Sequence, residues 1–138
     1  MIAVLDSKAL IYYFEGGQSF RQAVVDVLQD IKASDAQAHV AVSRLAVMDC
    51  RVKPMRYGNR ALLAQHNNFF NQVQIVELSA AVVTHATDIR ATTQLKTPDA
   101  LQAACALSLG DSCIFVTCDE GFARMQGLKL RQISLVMR

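Results

Sequence analysis

Four aspartates in this sequence stand where folding could bring their carboxylates together. Two follow apolar runs typical of buried strands, one lies in the first turn of a predicted helix, and one lies one to two turns into another helix; these are Asp6, Asp119, Asp99 and Asp49, respectively. Four carboxylates in one place cannot all stay ionised without a counter-charge. Mg²⁺ or Mn²⁺ would supply that charge, and a water bound to the metal could attack a phosphodiester.

Each aspartate taken alone also has an ordinary structural explanation. An Asp after a strand is often a turn or capping residue, Asp99 could merely complement a helix dipole, and Asp49 could be a solvated helix residue. The spacing alone is also compatible with a phosphoacceptor site of the receiver type or with a haloacid-dehalogenase-like site. A phosphotransfer site would require a lysine partner and labelling by a phosphodonor.

Short apolar runs alternate with helical patterns, and these elements must position the four acids. We expect strands over residues 2–5, 38–42, 73–78, 113–116 and 128–133, and helices over residues 7–14, 19–31, 59–71, 80–95 and 97–109, with a further helix after Ser43 and a short one at residues 120–125. This alternation predicts a three-layer α/β/α domain with a central, mostly parallel sheet. The reactive edge of such a sheet lies beyond the carboxyl ends of its strands.

Capping and breaking residues predict where several helices begin and end. Ser43 and Ser79 are good N-cap residues by type. Thr97 is expected to cap the helix that carries Asp99, with Pro98 at its first position. Pro54 is expected to interrupt the helix that follows Ser43.

Composition sets limits on the class of protein. The 138 residues, 52% hydrophobic and 19% charged, fit a single globular domain over 1–138. A formal charge of +2 is too weak to indicate nucleic-acid binding by itself. The four cysteines form no C-x-x-C pair, which favours free thiols in a reducing compartment. With no apolar run long enough for a membrane span and no signal-peptide pattern at the start, we expect a cytoplasmic protein without membrane contact.

Three segments of the sequence resemble the PIN-domain family, especially its VapC-type toxins. They are VLDSKALIYYFEG at 4–16, VSRLAVMDCRVKP at 42–54, and TPDALQAA at 97–104 paired with IFVTCDEGF at 114–122. The pairing of P-D-A-L-x-A-A with T-x-D-x-x-F is the most specific of these motifs. The resemblance covers nearly the whole chain in the right order.

The resemblance implies a metal-dependent endoribonuclease and assigns roles to individual residues. It places Mg²⁺ or Mn²⁺ on Asp6, Asp99 and Asp119. Asp49 falls where the family usually has Glu, which is one methylene longer, so a water-bridged contact is implied for it. The hydroxyl residues Ser7 and Thr117 would support the metal site. Two further departures are Lys8, where small polar residues are common, and Cys118, where Asn is common.

The resemblance also implies partners. A VapC-type protein would be the toxin of a type II toxin–antitoxin pair, with an RNA substrate, a homodimeric state, and a cognate antitoxin whose C-terminal segment lies over the site. The alternative hypothesis is a catalytically weak or inactive PIN scaffold that binds RNA or protein, and the Asp at position 49 is its main support.

Basic residues around the second acid form a possible RNA-binding rim. They are Arg44, Arg51, Lys53 and Arg56, with Arg60 close by. Arg44 and Arg51 are seven residues apart and therefore share a helix face, where they could contact a phosphate backbone. The alternative is a solvated helix surface. Residues 12–14, Tyr-Tyr-Phe, are expected in the core or at a partner interface.

Overall fold

A computed structural model of the chain describes residues 1–125 and 127–133. The strands are β1 Ile2–Leu5, β2 His39–Ser43, β3 Gln74–Val76, β4 Cys113–Thr117 and β5 Leu130–Gln132. The helices are α1 Ser7–Glu15, α2 Gly17–Ser34, α3 Arg44–Arg56, α4 Arg60–Phe70, α5 Ala80–Thr92 and α6 Thr97–Ser108, followed by a 3-10 helix at Glu120–Arg124. The three-layer α/β/α prediction is confirmed, and all four strand pairings are parallel.

The strand order β3-β2-β1-β4-β5 puts β1 in the middle of the sheet. Leu5, the last residue of β1, is in register with Val42 of β2 on one side and with Val116 of β4 on the other. Parallel strands end at the same edge, so the residues that follow β1, β2 and β4 emerge side by side. This register carries Asp6 and the segment around Asp119 to one place.

Two apolar cores cover the two faces of the sheet. Along β1, Val4 packs into the core beneath α5 and α6, whereas Ala3 and Leu5 pack into the core beneath α1, α2 and α3. The alternation follows from the two-residue period of a strand. Helix α6 contributes a nearly continuous buried segment, and most of residues 100–106 are alanine. Such small side chains let the helix lie close to the sheet, with its first turn at the carboxyl edge.

Predicted caps agree with the structure at two helices and differ at a third. The hydroxyls of Ser43 and Ser79 accept hydrogen bonds from the N–H groups of Ala46 and Val82, at 3.0 and 3.2 Å. The prediction that Thr97 caps α6 is wrong, because Lys96 is the N-cap residue and Thr97 is already helical. The Thr97 hydroxyl instead accepts a hydrogen bond of 2.6 Å from the Arg90 guanidinium.

The prediction that Pro54 interrupts its helix is also wrong. Helix α3 continues through Pro54 to Arg56. Pro54 lies in the last turn, where the missing N–H removes only one intrahelical hydrogen bond. Its carbonyl still accepts the N–H of Asn59 at 2.8 Å, and its ring is buried. Helix α3 therefore extends beyond the turn that carries Asp49.

Other boundaries differ by a few residues. The strands expected at 73–78 and 128–133 are shorter in the structure, and the helix expected to reach residue 95 ends at Thr92. All four cysteines are free, as predicted. Within the described part of the chain, no helix has both the length and the apolar character needed to cross a membrane.

Residues 12–14 contribute to an aromatic cluster, as predicted for a core or interface position. Phe14 packs edge-on against His66 of α4, with ring centroids 4.6 Å apart, and against Phe69 at 5.3 Å. His66 is completely buried, and neither of its ring nitrogens has a hydrogen-bond partner among the described residues. The cluster holds α1 against α4 and so fixes the helix that begins beside Asp6.

Candidate active site

The four predicted aspartates line a single cleft at the carboxyl edge of the sheet. The cleft has a volume of about 340 Å³, and its lining consists of Asp6, Ser7, Lys8, Ile11, Asp49, Pro98, Asp99, Gln102 and Asp119. Two of these acids follow the neighbouring strands β1 and β4, and the other two come from α3 and α6. The structure therefore places all four predicted aspartates in the lining of one cleft.

Asp6 is the most buried of the four acids, with only 3% of its surface exposed. Its Oδ1 accepts the N–H of Ala9 at 2.7 Å and so caps α1. Its Oδ2 accepts a hydrogen bond from the Thr117 hydroxyl at the end of β4. Burial raises the pKa of Asp6 to about 6, even though both hydrogen bonds favour the ionised form. The charges of Asp119 and Asp99 raise the pKa further.

Thr117 links the acids of the two central strands. Its buried side chain donates to Asp6, and its oxygen accepts the N–H of Asp119 at 2.9 Å. The Asp119 carboxylate in turn accepts the N–H of Gly121 at 2.8 Å and caps the 3-10 helix. One carboxylate oxygen of Asp119 therefore has a structural role, while the side chain still lines the cleft.

Ser7 connects the first acid to the second. Its hydroxyl donates a hydrogen bond of 2.7 Å to Oδ2 of Asp49, across the gap between α1 and α3. Asp49 is half-buried and lines the cleft. Although Asp49 is shorter than Glu, its carboxylate reaches the N-terminus of α1 through this contact.

The positive charge of Lys8 acts on the carboxylate of Asp99 within the cleft. Burial raises the pKa of Asp99, and the negative charge of Asp119 adds to that rise, whereas Lys8 and Lys96 oppose it. Lys8 is exposed and lines the cleft. Of the ion pairs that the described residues form, none includes any of the four aspartates. The cleft therefore holds more negative charge than its own side chains neutralise.

Sequence reasoning missed the contribution of Gln102. Its Oε1 accepts the backbone N–H of Ser7 at 2.7 Å, and its side chain is buried. Two signals could have indicated it: Gln102 lies three residues after Asp99, on the same helix face, and it is the only polar residue between Ala100 and Ala106.

Comparison with known proteins gives the family of the chain. The family model of the PIN domain matches residues 3–128. This chain belongs to the PIN-domain family. No protein of curated function is detectably similar to it in sequence.

Solved structures share the fold of this PIN domain over nearly its whole length. VapBC2 from Rickettsia felis, bound to a DNA fragment from its promoter, has a TM-score of 0.75 at 17% identity, covering 97% of this chain and 100% of that one. A toxin–antitoxin complex from Klebsiella pneumoniae has a TM-score of 0.73 at 20% identity, covering 97% and 99%. VapC20 from Mycobacterium tuberculosis, a toxin that cleaves the sarcin–ricin loop, has a TM-score of 0.64 at 14% identity, covering 88% and 92%. At these identities the likeness establishes a common fold.

The donor set of the cleft suits a hard divalent cation. Over the described residues, no three or more His, Cys, Asp or Glu side chains are placed closely enough to enclose a metal ion. Mg²⁺ does not need such a cage, because it usually keeps several waters and is held by one or two carboxylates. The cleft offers only oxygen donors among its acids, and burial raises the pKa of Asp6 and of Asp99. These residues fit a hydrated Mg²⁺ or Mn²⁺ better than a closed structural site.

None of the four basic residues predicted as an RNA-binding rim lines the cleft. Arg44 forms an exposed ion pair of 2.6 Å with Glu77, and Arg51 donates a hydrogen bond of 2.8 Å to Asn67. Lys53 and Arg56 are exposed near the end of α3. Lys8 is the basic residue that the structure places within the cleft itself.

Removing the charge of Asp6 should stabilise the metal-free PIN domain. The pKa of Asp6 rises from 3.8 to about 6 on folding, so the folded state binds the proton more tightly than the unfolded state. Binding of this proton stabilises the folded state fully below about pH 4, and this stabilisation is lost as the pH rises through about 6. We expect Asp6→Asn to raise the free energy of unfolding by ~3 kcal/mol at about pH 8, with little effect near pH 4.

Urea unfolding in EDTA at several pH values measures this difference. Asp88→Asn, an exposed change on α5, is the matched control and should follow the parent. Added Mn²⁺ should stabilise the parent and leave Asp6→Asn unchanged. Equal stability of the parent and Asp6→Asn from pH 4 to pH 8 would contradict a buried Asp6 carboxylate with a raised pKa.

Proposed function

We propose that this PIN domain is a metal-dependent endoribonuclease that hydrolyses RNA phosphodiester bonds. The observation that carries the proposal is the buried Asp6 carboxylate, placed in one cleft with Asp49, Asp99 and Asp119 and with no ion-pair partner among the described residues. A protein keeps a buried acid with a raised pKa at a site of function more often than elsewhere. This concentration of acids makes a divalent cation the expected counter-charge.

Asp6, Asp99 and Asp119 are the residues that would hold a hydrated Mg²⁺ or Mn²⁺, with one or two of these carboxylates bound directly and the rest through its waters. When bound, the metal would acidify a water for attack and stabilise negative charge on the phosphate. The chain's own contribution is to fix the ligands: the Ala9 N–H and the Thr117 hydroxyl together hold both oxygens of Asp6. Asp49, held by Ser7, would act through a water.

Two features support RNA as the substrate. VapC20, which shares the fold, cleaves the sarcin–ricin loop. The Lys8 ammonium lies at the acidic cleft, where it could contact a phosphate oxygen of a bound strand. Arg44, Arg51, Lys53 and Arg56, which lie outside the cleft, would then contact more distant phosphates rather than the one that reacts.

The same comparisons support an antitoxin as a partner. Structures that share this fold over nearly their whole length are toxin–antitoxin complexes. We therefore propose that this protein is the toxin of a type II pair, acts in the cytoplasm, forms a homodimer and is inhibited by a cognate antitoxin. A small reading frame next to its own would encode that antitoxin.

Removal of one metal-site acid should abolish cleavage. We expect the parent to cut RNA with Mg²⁺ or Mn²⁺ and to stop in EDTA. Asp6→Asn and Asp99→Asn keep the side-chain size and remove the charge, so each should lower the rate by about 100-fold or more. The measurement is cleavage of total cellular RNA by protein purified free of antitoxin, with Asp88→Asn as the control.

The result separates the enzyme from a binding scaffold. Cleavage that persists unchanged in Asp6→Asn would contradict the metal assignment. If the parent cleaves no RNA with either metal but binds RNA or protein, the protein is an inactive PIN scaffold that acts by binding.

Changes at Asp49 test whether it contacts the metal through water. We expect Asp49→Asn to slow cleavage by less than Asp6→Asn, because a water-bridged carboxylate contributes less than a direct ligand. Asp49→Glu should keep or raise the rate, because the longer side chain reaches further into the cleft. Rate constants at saturating Mg²⁺ give the comparison. A loss in Asp49→Asn as large as that in Asp6→Asn would instead make Asp49 a direct ligand.

A further inference from the structure

Gln102 makes a buried contact that the packing of its helix does not require. It is 5% exposed and belongs to α6, where its neighbours in the buried face are mostly alanines. An apolar residue would pack in such a helix without needing a hydrogen-bond partner. The amide of Gln102 instead reaches the first residue of α1, where its Oε1 lies 2.7 Å from the nitrogen of Ser7.

The contact satisfies a donor that the helix itself cannot satisfy. The first N–H groups of a helix have no acceptor within the helix. Asp6 caps the N–H of Ala9, and the N–H of Ser7 is left to Gln102, 95 residues away in the sequence. A backbone N–H can only donate, so the carbonyl oxygen of the amide must face Ser7. The orientation of the Gln102 side chain is therefore determined by this bond.

Ser7 links the Gln102 contact to the acids of the cleft. Its backbone is held by Gln102, its hydroxyl holds Asp49, and its preceding neighbour is Asp6. Gln102 lies one turn after Asp99 on α6 and lines the same cleft. A continuous chain of hydrogen bonds thus runs from α6 through the start of α1 to α3, and joins elements that carry three of the four acids.

We propose that Gln102 is a positioning residue of the acidic cleft. By fixing the backbone at Ser7, it directs the Ser7 hydroxyl to Asp49 and holds that short carboxylate in place. The proposal concerns the site of the proposed ribonuclease and rests on that function for its kinetic consequences. The hydrogen bond itself is testable without any activity.

A double-mutant cycle tests the coupling through Ser7. Gln102→Met keeps the length of the side chain and removes the acceptor, and we expect it to lower kcat by about 10-fold with KM changed less than about twofold. Ser7→Ala should lower kcat similarly, and the double variant should be no slower than Ser7→Ala alone, because Gln102 acts through that hydroxyl. Gln22→Met, an exposed change on α2, should match the parent. If Gln102→Met does not fold, Gln102→Ala replaces it in a helix already rich in alanine.

Hydrogen exchange at the Ser7 amide gives a readout independent of catalysis. We expect exchange to be at least about 10-fold faster in Gln102→Met than in the parent, and to stay slow in Gln102→Glu, which keeps an acceptor oxygen. A parent that cleaves no RNA would overturn the proposed function, while the Ser7 exchange rates would still decide whether Gln102 holds this backbone. Unchanged exchange in Gln102→Met, or losses of kcat that multiply in the double variant, would overturn the positioning role.

Discussion

The carboxylate of Asp6 is buried at the end of the central strand, and the arrangement of the cleft depends on how it is held. One oxygen caps α1 through Ala9, and the other accepts the hydroxyl of Thr117 from the neighbouring strand. These two bonds join β1, α1 and β4 at a single side chain. Burial nevertheless raises the pKa of Asp6 to about 6, so the bonds do not fully offset the loss of water around the charge. The protein therefore places an unfavourable buried charge where three elements meet.

The parallel sheet explains why the remaining acids gather around Asp6. The ends of β1 and β4 are neighbours, so Asp119 is carried to the same edge, and α6 begins there with Asp99 in its first turn. Asp49 comes from α3 and is held through Ser7. The charges of Asp119 and Asp99 raise the pKa of Asp6, and the charge of Asp119 also raises the pKa of Asp99, which Lys8 opposes. This excess of negative charge is the reason that we propose a bound cation in the cleft. The ionised Asp6 that the proposed activity requires thus lowers the stability of the folded protein.

Much of the fold and of the acidic site could be predicted from local sequence. Strand-ending aspartates and the Pro-Asp start of α6 are short-range signals, and parallel pairing converts them into proximity. Contacts between distant elements could not be predicted in this way. The Thr97 hydroxyl accepts from Arg90 instead of capping its helix, and Arg44 pairs with Glu77 from beyond β3. The bond between the amide of Gln102 and the backbone of Ser7, 95 residues away, was likewise not predicted.

The central claim is that the cleft binds a divalent cation through Asp6, and proton release on binding tests it most directly. Calorimetric titration of Mn²⁺ at pH 6, in buffers of different ionisation enthalpy, counts the protons displaced. A carboxyl with a pKa of about 6 is half protonated at that pH and must lose its proton to bind the metal. We expect release of about half a proton per ion from Asp6 at pH 6, almost none at about pH 8, and none in Asp6→Asn. Binding without proton release at pH 6, or no binding at all, would contradict the account.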